Sequence, residues 1–291
     1  MQGEQSRRLG AEHRGEGRRG LLLRNRWLLA RRFSQLGILA LFLAGPLAGL
    51  WLVKGNLSSS LTLNTLPLTD PFVLLQTLAA GHSPAATALA GAAIVGAFYF
   101  LVGGRSYCAW VCPVNLVTDA AAWLRRRLRL PGARAPRKTT RHWLLAAVLA
   151  ASAVTGAAAW EFVNPVSMMH RAIIYGGALA WGVVAAVFLF DLLVAPRGWC
   201  GHLCPMGAFY SLVGRYSPLK VAAARREACD DCGDCFAVCP EPEVIQPALK
   251  PRRGEGPVIA SGQCLDCGRC IDVCPRDVFR FTFRTLPRSA P

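Results

Sequence analysis

Apolar residues in this chain come in long runs rather than in alternation with polar ones. Four runs, at about 33–53, 85–103, 143–160 and 176–195, each approach the ~20 residues needed to cross a bilayer core. Four such runs in 291 residues leave no polar shell large enough to bury them, so they predict four membrane-spanning helices. Past residue 207 the pattern changes. Short β-branched or aromatic runs at 220–222, 244–246, 258–260 and 279–283 lie between turn-rich segments, 247–257 among them. They predict small paired strands and short helices in two similar halves. The expected fold is an all-α membrane domain of four transmembrane helices in two hairpins, plus a small α+β two-cluster ferredoxin-like domain. The expected boundaries are a basic arm at 1–32, the helical domain at 33–206, a linker at 207–227, the small domain at 228–283 and a tail at 284–291.

Charge adds an orientation. The net charge is +16, with 53% hydrophobic residues. Lys and Arg number nine before the first run, one between the first two, nine across 104–142 and one across 161–175. An excess of cations marks cytoplasmic loops. The expected location is therefore the bacterial inner membrane, multi-pass, with both termini and the small domain cytoplasmic. On this reading the basic residues contact anionic lipid, and no nucleic acid is involved. The first ~20 residues read as disordered, and the first run, long enough to span, is not a cleaved leader.

Twelve cysteines decide the chemistry. Cys229, Cys232, Cys235 and Cys239-Pro240 form one C-x2-C-x2-C-x3-C-P string; Cys264, Cys267, Cys270 and Cys274-Pro275 form another. This is the run of bacterial two-cluster ferredoxins, in which the fourth cysteine serves the other cluster. The expected ligand sets for two [4Fe–4S] clusters are Cys229, Cys232, Cys235 and Cys274, and Cys264, Cys267, Cys270 and Cys239. Zinc uses four ligands in two short knuckles and would leave half of each string unexplained. No nicotinamide, flavin, Walker or c-type haem motif occurs.

A second repeat follows the second and fourth runs: Tyr107-Cys108-x-x-x-Cys112-Pro113 and Trp199-Cys200-x-x-x-Cys204-Pro205. Cysteines at i and i+4 share a helix face. Each pair suits two thiolates on one metal, a strained disulfide, a quinone head-group site, a ferredoxin dock or plain packing. Asp191, near Arg197 and His202, is costly in an apolar run, hence paired or functional. Asp70, His82, Glu161 and His170 are candidate acceptors of quinol protons. Trp27, Trp51, Trp143, Trp160 and Trp181 read as an interfacial belt.

These motifs occur with Gly55-Asn56-Leu57-Ser58-Ser59-Ser60, Leu68-Thr69-Asp70-Pro71, Trp160-Glu161-Phe162-Val163-Asn164-Pro165-Val166-Ser167, Phe190-Asp191-Leu192-Leu193 and Gly198-Trp199-Cys200-Gly201-His202. Over about 27–283 the chain thus resembles the NapH/MauN family of ferredoxin-type membrane proteins, its nitrate-reduction branch in particular. The resemblance implies an electron-transfer subunit of a quinol dehydrogenase rather than a catalyst on its own. It implies a periplasmic iron–sulfur subunit (NapG-like) and a membrane-anchored multihaem cytochrome c as partners, with electrons reaching a periplasmic nitrate reductase. The alternative is a membrane ferredoxin serving maturation or reactivation of a periplasmic metalloenzyme.

Overall fold

A computed structural model describes residues 25–130, 136–250 and 256–284. The expected disordered arm, Arg134 and the tail beyond 284 lie outside the described residues. Helix α1 (Arg26–Ala48) begins the described chain and ends on Gly49 in the left-handed conformation. A three-stranded antiparallel meander follows, with β1 (Val53–Gly55), β2 (Ser59–Thr62) and β3 (Leu66–Thr69) pairing Lys54 with Leu61 and Leu61 with Pro67. Its first turn is set by Asn56, whose side-chain oxygen accepts from Ser58 N at 2.9 Å and Ser59 N at 3.1 Å. Its second turn places Leu63 and Asn64 at φ of 52° and 58°.

Two later helices begin with the same device. Asp70 caps α2 (Pro71–Ala79) and Asn164 caps α7 (Pro165–Tyr175), each side chain accepting an amide two residues on, with proline at the first helical position. Between them run α3 (Ala86–Val102), α4 (Ser106–Trp110), α5 (Val114–Arg127) and α6 (Thr140–Thr155). After α7 come α8 (Ala178–Leu189), two π-turns at Phe190–Val194 and Trp199–Leu203, and α9 (Pro205–Arg215).

This architecture overturns the expected four-span, two-hairpin membrane domain and the multi-pass placement. Among the described residues, one helix, α1 at 23 residues, is long and apolar enough to cross a membrane. The apolar helices at Ala86–Val102 and Ala178–Val194 fall short. Two runs are cut by their own glycines: Gly49 ends α1 and Gly156 ends α6, both in the left-handed conformation that only glycine adopts without strain. The run at 176–195 leaves the α-helix at Leu189 for a π-turn. The cations counted toward orientation have structural partners instead. Arg31 and Arg32 gather on Asp119, joined there by Arg197 from outside the counted segments. Arg125 donates to the carbonyl of Leu192 at 2.6 Å, and Arg105 and Lys138 hold Glu241.

The C-terminal lobe pairs β4 (Leu219–Ala222) antiparallel with β5 (Arg280–Phe283), Val221 facing Phe281. Two short helices, α10 (Asp234–Val238) and α11 (Arg269–Val273), pack with them around Val221, Ile245, Ile259, Ile271, Val278 and Phe279. Each such aliphatic side chain contributes about 1.5–3 kcal/mol by leaving water. The lobe is fastened to the helices at several points. Buried Asp272 of α11 accepts the amides of Trp27 and Leu28, each at 3.2 Å, and so caps α1 from across the interface. Trp27 makes edge contacts with Trp110 and Phe281, and Trp110 Nε1 donates to the carbonyl of Asp266 at 3.1 Å. Trp27 and Trp160 are thus packed against the interior rather than set in an interfacial belt.

Candidate electron-transfer site

Each ferredoxin string folds by the same backbone moves. Asp231 and Asp266, each just before the second cysteine, have φ of 55° and 46°. Gly233 and Gly268, each just after it, have φ of 81° and 71° and open the short helices that carry Cys235 and Cys270. A Cβ on Gly268 would lie 2.5 Å from Trp27 Cγ, so the loop also needs glycine for close approach. The reversals turn three thiols of each string toward one point. Cys229, Cys232, Cys235 and Cys274 line one small cavity of about 40 Å³. Cys239, Cys264, Cys267 and Cys270 line another of about 20 Å³. All twelve cysteines are free thiols, so the structure contains none of the disulfides considered for the C-x3-C-P pairs.

Four thiols around a closed space fit a four-iron cluster in donor chemistry and number.

The C-x3-C-P pairs, separated by α5 to α8 in sequence, also meet. Cys108, Cys112, Cys200 and Cys204 line a third cavity, of about 20 Å³, with Tyr107 and Trp160 in its wall. Trp160 and Trp199 stack there at 6.3 Å. Asp191 and His202 stand nearby rather than in the cavity wall. Asp191 is fully buried and accepts the Trp199 amide at 2.8 Å, while its expected partner Arg197 pairs with Asp119 at 3.1 Å. His202 Nδ1 is buried without a hydrogen-bond partner.

A larger apolar cavity of about 780 Å³ lies between α1, the meander and α3. Ile38, Phe42, Val95 and Phe98 form part of its wall, and at one end it is closed by Asp70, Tyr99, Tyr107 and Tyr210. Tyr210 OH donates to Asp70 Oδ2 at 3.0 Å, and its ring stacks on Tyr107 at 4.9 Å. Burial pushes the Asp70 carboxyl up to about 6 against the opposing pull of the Phe72 amide and the Tyr210 hydroxyl. Tyr107 faces both this cavity and the third cysteine cavity. Trp110 also lines the apolar cavity and bonds the backbone between Cys264 and Cys267.

Of the four expected proton acceptors, Asp70 alone lines this cavity. Glu161 is engaged by Ser58, Asn164 and Ser167, His82 by the Gly156 carbonyl, and His170 packs edge-on to Phe42. The tyrosine trio escaped the sequence reading. Tyr107, directly before Cys108, was the signal available for it.

A dicluster 4Fe–4S binding domain matches residues 228–278, and a 4Fe–4S binding domain matches twice, at 84–131 and 177–222. The methylamine utilization ferredoxin-type protein MauN of Paracoccus denitrificans is 56% identical over 96% of this chain and 98% of its own length. The chain belongs to the NapH/MauN family of ferredoxin-type proteins. Within the family, MauN of Methylorubrum extorquens is 55% identical over 94% of this chain and 95% of its own length. The ferredoxin-type protein NapH of Haemophilus influenzae is 48% identical over 89% and 91%. No solved structure matches the chain. As a NapH/MauN protein it is an iron–sulfur, ferredoxin-type protein, consistent with an electron-transfer subunit.

Proposed function

We propose that this chain is the iron–sulfur subunit of a quinol dehydrogenase, feeding a periplasmic oxidoreductase through a periplasmic iron–sulfur subunit and a multihaem cytochrome c. Its ligand sets are Cys229, Cys232, Cys235 and Cys274 for one [4Fe–4S] cluster and Cys239, Cys264, Cys267 and Cys270 for the other. When bound, such clusters supply one-electron acceptors.

The observation that carries the reading is the apolar cavity with one carboxylate at its tyrosine-lined end. A quinol is an apolar molecule with two hydroxyls at one end, and its oxidation releases two electrons and two protons. The aliphatic and phenyl wall receives the ring and tail, and Tyr99, Tyr107 and Tyr210 orient the head. Asp70, pushed up to about 6, is a base matched to neutral pH that takes a proton at Oδ1 or Oδ2. Trp110 spans the short distance from this wall to the loop holding Cys264 and Cys267.

The family resemblance to NapH favours nitrate reductase as the terminal acceptor. A second reading, service to the maturation or reactivation of a periplasmic amine-oxidising metalloenzyme, is favoured by one observation. Three relatives named for methylamine utilization are 56%, 55% and 48% identical, against 48% for the NapH relative of Haemophilus influenzae.

The test is anaerobic purification with the clusters oxidised, addition of a menaquinol or ubiquinol analogue, and EPR of the clusters. Reduction within seconds supports the dehydrogenase. Clusters that dithionite reduces but quinol leaves oxidised remove it in favour of the second reading.

A further inference from the structure

The two C-x3-C-P motifs take no part in that proposal, yet they build the most complete unassigned constellation in the molecule. We propose that Cys108, Cys112, Cys200 and Cys204 together ligate a third [4Fe–4S] cluster, each motif supplying half of the ligand set. Neither stretch matching the 4Fe–4S binding domain, 84–131 or 177–222, contains more than two cysteines, so neither can hold a cubane alone.

Among the described residues three cavities are each lined by four cysteines, and they are alike in size, at about 20, 20 and 40 Å³. The local build also repeats. Cys204 precedes a proline that opens a helix, and its sulfur accepts the Gly207 amide at 3.4 Å. Cys274, also followed by proline, accepts the Val278 amide at 3.4 Å. An N–H aimed at sulfur stabilises a thiolate over a thiol.

Stranded donors surround the interior site. Arg141 is wholly buried, and its Nε, Nη1 and Nη2 all lack a hydrogen-bond acceptor. The groups whose charge it feels include Cys108 and Cys204. Trp160 Nε1, from a residue in the cavity wall, is buried with no acceptor. A buried guanidinium with every donor unmet costs several kcal/mol, and Glu241 is a carboxylate whose charge it feels without a hydrogen bond. Four thiolates around an iron–sulfur core carry net negative charge and present sulfurs as acceptors for such donors. A cavity of four neutral thiols answers none. Arg105 completes the arrangement, donating from Nη2 to the Cys200 carbonyl at 3.0 Å and from Nη1 to Glu241, two residues after Cys239.

The test counts iron and acid-labile sulfide in anaerobically prepared protein and takes its Mössbauer spectrum, neither of which depends on the quinol reading. Three clusters give about twelve iron atoms per chain and two give about eight. The Cys112→Ser/Cys204→Ser variant is expected to lose about four iron atoms and keep the signals of the other two clusters. About eight iron atoms in the wild type, or zinc at the interior site, overturns the proposal. Should the double variant fail to fold, the wild-type count and the number of cluster components in its Mössbauer spectrum decide the matter unaided.

Discussion

Arg105 and Glu241 meet at 2.9 Å with side chains only 1% and 3% exposed, joining the helices to the ferredoxin lobe. Lys138 reaches the second carboxylate oxygen at 2.6 Å. Burial alone would raise the Glu241 pKa, but the two cations outweigh it and hold the carboxyl below its ordinary 4.5. A carboxyl depressed in the folded state contributes stability above its unfolded pKa and loses it as pH falls through the folded value. Glu241→Gln should therefore cost about 3–5 kcal/mol at pH 7. The difference from wild type should shrink as pH drops below 4.5, as read from denaturant unfolding at a series of pH values.

Asp70 carries the opposite sign. Its carboxyl sits at about 6 in the folded chain against 3.8 ordinarily. Its stabilising effect is complete below about pH 4 and is lost as pH rises to about 6, a change on the order of 3 kcal/mol. Asp70→Asn should flatten this segment of the stability curve. It should also slow quinol-driven cluster reduction at least tenfold at pH 7 while iron content stays at the wild-type value.

Filling the apolar cavity tests its role without touching a polar group. Ile38→Trp places an indole where the ring and tail are proposed to lie. Quinol-driven reduction should fall more than tenfold, dithionite reduction should be unchanged, and an overpacking cost of about 1–3 kcal/mol is expected. Equal quinol rates in variant and wild type would exclude this cavity as the binding place.

Gly268→Ala should be more damaging than its size suggests. The position has φ 71°, and the new methyl would press on Trp27. A loss of about 1–3 kcal/mol is expected, together with altered EPR of the cluster nearest Cys267 and Cys270, because the loop cannot keep both its turn and its contact.

Arg141→Gln removes a buried positive charge beside Cys108 and Cys204. The added electron on an interior cluster loses an attraction on the order of 2–3 kcal/mol at an effective dielectric near 20. Redox-titrated EPR should show one cluster shifted to lower potential and the others unmoved.

The cysteine strings were legible because C-x2-C-x2-C brings three thiols onto one loop whatever surrounds it. Asp70 was singled out in the sequence as an acid, but its place in the wall of the apolar cavity was not legible there. The helix lengths were not legible, because hydropathy runs straight through Gly49 and Gly156, where the backbone turns. Strands of three and four residues in the meander were too short for a period of two to declare itself. Charge misled for a physical reason: counting Lys and Arg treats each cation as solvated, whereas Arg31, Arg105, Arg125 and Arg141 are all buried. The encounter of Cys108 and Cys112 with Cys200 and Cys204 is a tertiary fact that no local spacing contains.

Asp272, by capping the first turn of α1 from the opposite lobe, decides what sort of carrier this protein is. A free ferredoxin must diffuse, collide and part from its donor, so its throughput depends on concentration and salt. Here the ferredoxin lobe is bolted to the helices by a buried carboxylate, the edge contacts of one indole and a sealed ion pair. On the proposed reading, delivery within the chain is then first order, indifferent to ionic strength, and limited by the span between centres rather than by any meeting of molecules.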